Sequence, residues 1–161
     1  MSKAKTTTKP KAKAPKPAKA EFEPRIVSFC CHYCSYGAAD LAGSSKMPYP
    51  INVEIIRVPC SGRVDPLHVL HAFEEGADGV MVTGCLTEQC HFVTGNFHAE
   101  KRMTKLAKWL EAIGLGGRLE FQLMSAGMAQ KWVDTTHSFF DQIKKLGPNP
   151  LRKVPREVNC T

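Results

Sequence analysis

From Arg25 onward the chain alternates, four times over, a short run rich in β-branched and aromatic residues with a segment of helical periodicity. The first unit is Arg25-Ile26-Val27-Ser28-Phe29-Cys30 with a small-residue helix over 36–44. The second is Val53 to Val58, then Ser61-Gly62-Arg63, then a helix opening at Asp65-Pro66. Aspartate as N-cap with proline at the first helical position is a strong start signal, and Val69, Leu70 and Phe73 provide its apolar face before Gly76. The third strand is Gly79 to Thr83. A loop from Gly84 to Gly95 leads to a helix reaching Ile113, with Leu106, Leu110 and Ile113 on one face and Gly114 as its stop. The fourth strand is Leu119 to Met124, and a last helix runs over 128–146 to Gly147-Pro148. Strands separated by helices must run parallel, through right-handed crossovers. The expected fold is therefore α/β, a flavodoxin/Rossmann-like three-layer sandwich on a four-stranded parallel sheet in the order 2-1-3-4.

Such sheets bind ligands outside the carboxyl ends of their strands, where the strand order reverses. Six of the seven cysteines fall there: Cys30, Cys31 and Cys34 after the first strand, Cys60 after the second, Cys85 and Cys90 after the third. Thiolates converging from separate segments are what a metal ion or an iron–sulfur cluster requires. Cys31, Cys34, Cys60, Cys85 and Cys90 supply one thiol more than the four of a [2Fe–2S] centre. Neighbouring strand residues point to opposite faces, so Cys30 and Cys31 are not both expected at the site. Cys31 is the candidate, with Cys30 continuing the packing face as a small hydrophobe. Cys160 reads as idle.

Two other chemistries use the same residues. Four thiolates bind structural zinc, although a domain with its own core has no need of that staple. Cys31-His32-Tyr33-Cys34, between a strand and a helix, also has the form of a thiol–disulfide oxidoreductase site, but that leaves Cys60, Cys85 and Cys90 unexplained. His32, His91 and His98 read as polar loop residues. Gly114-Leu115-Gly116-Gly117 follows a helix and precedes a strand, the wrong side for a dinucleotide fingerprint, and reads as a turn.

Charge separates the chain into parts. The formal net charge of +7 comes from seven lysines in residues 1–20, where there is no acid; the other fifteen basic residues balance the fifteen acidic ones. Residues 1–24 read as a disordered, basic Lys/Pro/Ala-rich tail, the sharper alternative being a tether to a neighbouring protein of a complex. Residues 25–147 read as the folded domain and 148–161 as an irregular C-terminal tail. A neutral domain carries no footprint for specific nucleic-acid binding. Lys101, Lys105 and Lys108 read as a solvated helix face. Without an apolar run of membrane length or a signal-peptide pattern, a cytoplasmic, reducing setting with no direct membrane span is expected.

Phe29-Cys30-Cys31-His32-Tyr33-Cys34-Ser35-Tyr36-Gly37-Ala38-Ala39-Asp40-Leu41-Ala42-Gly43, Arg57-Val58-Pro59-Cys60-Ser61-Gly62-Arg63-Val64-Asp65-Pro66, Gly76-Ala77-Asp78-Gly79-Val80, Gly84-Cys85, Cys90-His91 and Gly95-Asn96 follow in order. Over residues 25–147 this set resembles the delta subunit family of methyl-viologen-reducing hydrogenase. The resemblance implies a small [2Fe–2S] protein of anaerobic, electron-bifurcating metabolism. Its implied task is to carry electrons between a hydrogenase or formate dehydrogenase and the flavin-containing A subunit of heterodisulfide reductase. It implies that Cys31, Cys34, Cys60, Cys85 and Cys90 are the family's cysteines, four of them iron ligands, without saying which four. Leu86 stands where the family often has histidine, and His32-Tyr33 where Asn-Trp is common; both changes concern the surroundings of the centre. The helix N-termini after strands 1 and 2 and the amides of Ser61-Gly62-Arg63 are expected to offset its negative charge.

Overall fold

Ile26–Cys31 (β1), Val53–Val58 (β2), Gly79–Gly84 (β3) and Leu119–Leu123 (β4) form one sheet, parallel throughout, in the expected order β2-β1-β3-β4. The computed structural model describes residues 22–151; the lysine-rich start and Cys160 lie outside them. The helices are Ser35–Ser44 (α1), Pro66–Glu74 (α2), Gly95–Ala112 (α3) and Ala129–Leu146 (α4). β3 is buried along its whole length, as its near-continuous apolar composition requires of a strand covered on both faces.

The period-2 alternation of β1 and β3 divides the interior into two cores. Ile26, Cys30 and Met81 meet Ala38, Ala42, Trp132 and Phe139 of α1 and α4 on one face. Phe29, Val80 and Val82 meet Val69, Phe73, Met103, Leu106 and Leu110 of α2 and α3 on the other. Two helices on each side of the sheet make the three layers. Trp132 and Phe73 are fully buried, and each such side chain contributes about 1.5–3 kcal/mol of apolar transfer.

Local signals act as read. Asp65 accepts a hydrogen bond from the Leu67 amide at 2.9 Å, and the Asp65 amide donates to His68 Nδ1 at 3.2 Å, closing a reciprocal cap on α2. Two expectations fail where a helix turns. Ile113 is 62% exposed, because Gly114 takes φ +81 and swings the chain back so that Leu115 fills the space under α3. Leu70 lies at the edge of the α2 apolar face, 37% exposed, while Val69 and Phe73, four residues apart, point inward. Each strand and helix end otherwise differs from expectation by a residue at most: β1 includes Cys31, α1 starts at Ser35, and β4 stops before the fully buried Met124.

Over residues 147–151, after α4, the backbone is irregular but held. Asn149, 3% exposed, donates through Nδ2 to the carbonyls of Phe73 and Ala77, and its amide donates to Asp78. Arg118 donates to the carbonyls of Asp78, Leu146, Gly147 and Pro148. This network closes the amino-terminal end of the sheet, opposite the cysteines. No helix among the described residues is long and apolar enough to cross a membrane.

Candidate metal centre

β1 and β3 lie side by side, but their crossovers leave in opposite directions, to β2 and to β4. The loops after β1, β2 and β3 therefore meet over one crevice. Cys31, Cys60, Cys85 and Cys90 are buried together there, and Cys34 packs against them, partly exposed at the mouth. Cys30 does not join them. Its side chain lies in the core beneath α1 and α4, with its sulfur 3.4 Å from Ser28 Oγ, on the opposite face from Cys31.

The five thiols form one connected group. Cys31 Sγ lies 3.6 Å from Cys85 Sγ, while Cys60 and Cys90 interact with each other. Cys34 approaches Cys85 from the solvent side. Among the described residues no three His, Cys, Asp or Glu groups close around a point in the way a single ion requires.

Burial and hydrogen bonding divide the thiols electrostatically. Burial pushes Cys85 well up, and the neighbouring thiols Cys34 and Cys31 add to the rise; burial also raises Cys60 and Cys34. Gly62, in the 3-10 turn Ser61–Arg63, offsets part of the effect on Cys60 by donating its amide to Sγ at 3.4 Å. At Cys90 burial pulls the same way, but the amides of Asn96, Phe92 and Gly95 outweigh it and hold this thiol below its ordinary range. Two of those amides belong to the first turn of α3, so the unpaired N–H groups of a helix N-terminus stabilise a sulfur anion.

Glycine makes the close approach possible. A Cβ on Gly95 would overlap Cys60 Sγ and come within 3.2 Å of Cys90 Sγ; one on Gly62 would lie 2.8 Å from the Gly95 backbone. Only bare backbone at these positions lets the Cys60 turn and the start of α3 close on the sulfurs. Asn96 then ties the third loop, donating to the carbonyls of Cys85 and Leu86 and accepting from the Phe97 amide. Arg102, also on α3, donates to the Gly62 carbonyl. Within the loop, Glu88 (φ +63) and Val93 (φ +64) hold left-handed conformations, unusual for any non-glycine and costly for a β-branched residue. This loop is shaped by what surrounds it.

Asn96 stands in the sequence only as part of the Gly95-Asn96 dipeptide of the resemblance, with no role attached, and Arg102 carries no signal of its own, since its partner lies 40 residues away. The Tyr33 and His91 rings stack at 3.8 Å between centroids and 14° between planes, with His32 and Phe92 edge-on. They join the first and third cysteine loops, a contact that spacing does not encode. His98 is exposed and lines a groove of about 560 Å³ with Cys60, Arg63, Phe92 and Arg102.

The donor set fits an iron–sulfur centre. Several buried sulfurs gather at one crevice, and backbone amides already point at two of them.

Residues 26–147 match the family model FlpD, the methyl-viologen-reducing hydrogenase delta subunit. The chain belongs to this family. Over 132 residues, 81% of this chain and 98% of the relative, it is 45% identical to the iron-sulfur D subunit of the vhu F420-non-reducing hydrogenase of Methanocaldococcus jannaschii. It is 42% identical over 129 residues, 80% of this chain and 94% of the relative, to the iron-sulfur D subunit of the F420-non-reducing hydrogenase of Archaeoglobus profundus. A third similarity, 44% over 126 residues or 78% of this chain, is to the A subunit of the ferredoxin/F(420)H(2)-dependent CoB-CoM heterodisulfide reductase of Methanosarcina acetivorans, of which it covers 16%. The delta-subunit module thus occurs both as a small separate chain and as a fraction of a much larger polypeptide. The chain is thus a member of the hydrogenase delta-subunit family that is also similar to part of a heterodisulfide reductase A subunit.

Proposed function

We propose that this protein is a one-electron carrier that holds a single [2Fe–2S] centre on Cys31, Cys60, Cys85 and Cys90, with Cys34 as a fifth thiol at its mouth. The observation that carries the reading is the convergence of four buried sulfurs, those of Cys31, Cys60, Cys85 and Cys90, at the strand-order reversal of the sheet. Such a centre, when bound, supplies reversible storage of one electron without bond-making on a substrate. The chain's own part is electrostatic and steric. Gly62, Gly95 and Asn96 turn amides toward sulfur and so favour the more negative redox state. Gly95 admits the sulfurs, and the Tyr33–His91 stack covers the crevice between two loops.

The names of the relatives support a hydrogenase as partner on one side and a protein like the heterodisulfide reductase A subunit on the other; a formate dehydrogenase in the hydrogenase's place is what the family resemblance alone implies. Fusion of the module into such a larger polypeptide would keep donor and acceptor at high effective concentration, which a separate chain must achieve by docking. Six free cysteines among the described residues accord with a reducing, cytoplasmic setting. Residues 25–147 would then carry the whole electron-transfer function, with Pro148 and Asn149 adding to the stability of the domain.

The test is anaerobic purification of the full chain. Two irons and two acid-labile sulfides per chain, with an S = 1/2 signal on one-electron reduction, are expected. One zinc and no sulfide would overturn the reading in favour of a structural site.

A further inference from the structure

One polar group beside the thiols has no partner. Ser61 is fully buried, and its Oγ makes no hydrogen bond among the described residues. The other buried hydroxyls near this end of the sheet are satisfied: Ser35 Oγ donates to the Thr83 carbonyl at 3.0 Å and Thr83 Oγ1 to the Phe29 carbonyl at 3.3 Å. Burying a hydroxyl without a partner is costly, and alanine would fill the same space without that penalty.

Its position indicates where a partner belongs. Ser61 follows Cys60 directly and opens the 3-10 turn whose next amide, that of Gly62, already donates to Cys60 Sγ. Its Oγ rests against Gly84, the residue before Cys85; a Cβ on Gly84 would come within 2.6 Å of it. The hydroxyl is therefore wedged between the Cys60 and Cys85 loops, and a side chain at residue 84 would displace it. No cysteine sulfur among the described residues stands in hydrogen-bonding geometry to it, and neutral thiols are in any case weak acceptors. Thiolates and sulfides carrying the charge of an iron–sulfur centre are strong ones.

We infer that the Ser61 hydroxyl is a potential-setting hydrogen-bond donor, directed at the sulfur of the bound centre and strengthening as that sulfur gains charge on reduction. The inference rests on the electron-carrier reading and adds a residue to it. Ser61 is a positioning and tuning residue, not a ligand. Because its donor favours the reduced state, it raises the reduction potential. Burial protects the bond from competition with water, so one hydroxyl here has more effect than it would at the surface.

The experiment compares the full chain with Ser61→Ala, Ser61→Gly and Ser61→Thr, each loaded anaerobically, by potentiometric titration followed by EPR. Proton couplings of the reduced centre are also recorded in water and in deuterium oxide. Removing the hydroxyl is expected to leave iron and sulfide content unchanged, move the midpoint to a more negative potential and delete one exchangeable proton coupling. Threonine, which keeps the hydroxyl, is expected to retain both. The parent's midpoint and proton spectrum in Ser61→Ala or Ser61→Gly would overturn the inference. If neither variant takes up iron, loading of Ser61→Thr at the parent's midpoint supports the hydroxyl's role, and failure of Ser61→Thr as well assigns the residue to packing and overturns it. A parent chain holding zinc without sulfide defeats the electron-carrier reading itself, whereas a loaded parent with an unshifted Ser61→Ala defeats this inference alone.

Discussion

The backbone of Gly95 lies against the sulfur of Cys60, closely enough that a methyl group on Gly95 would occupy the space the sulfur fills. Two effects compete in Gly95→Ala. Alanine in a helix is favoured over glycine by up to about 1 kcal/mol, whereas forcing extra volume into a packed site costs about 1–3 kcal/mol. The overlap is with an atom held by its partners, so the second effect wins. Gly95→Ala is expected to lower iron incorporation severely. Parent-level iron and sulfide in the variant would show that the Cys60 turn can move away from α3.

Ligands and bystanders separate by substitution. Cys60→Ser and Cys85→Ser are expected to lose the centre or change its EPR signal. Cys34→Ala is expected to keep it, because the four buried sulfurs suffice. Cys30→Ala is also expected to keep it, at a packing cost of about 1 kcal/mol, by comparison with small core truncations. Iron loss in Cys34→Ala with retention in Cys31→Ala would transfer the ligand role between them.

The dithiol alternative makes the opposite demand on Cys31 and Cys34. An attacking thiol must be accessible and carry thiolate character. Cys31 is 1% exposed, and burial raises the Cys34 thiol. Metal-free protein is therefore expected to reduce insulin disulfides no faster than dithiothreitol alone. Acceleration that disappears in Cys34→Ala would restore the oxidoreductase reading.

Stability and cofactor binding are expected to part company at Asn149. Asn149→Ala removes donors to the carbonyls of Phe73 and Ala77, which lie buried at the end of the sheet away from the cysteines. Leaving such groups unpaired costs about 1–3 kcal/mol. A lower thermal midpoint with an unchanged EPR spectrum is the expected pair of results. A changed spectrum would mean that the two ends of the sheet are coupled.

The order of strands and helices, the parallel sheet and the edge where the cysteines gather are legible in the chain before it folds. They follow from local chemistry: the two-residue period of β1 and β3, the Asp65-Pro66 start of α2, and connections that are helical and therefore cross over. The same alternation is enough to send Cys30 and Cys31 to opposite faces. Packing between distant segments is what brings Cys31 to Cys85, 54 residues away, and puts Leu115 in the place expected of Ile113. It also seats Asn149 against Asp78 and leaves Ser61 Oγ without a protein partner. Each of these depends on how separate segments meet after the sheet has formed, and periodicity within a segment carries no information about the distance to another.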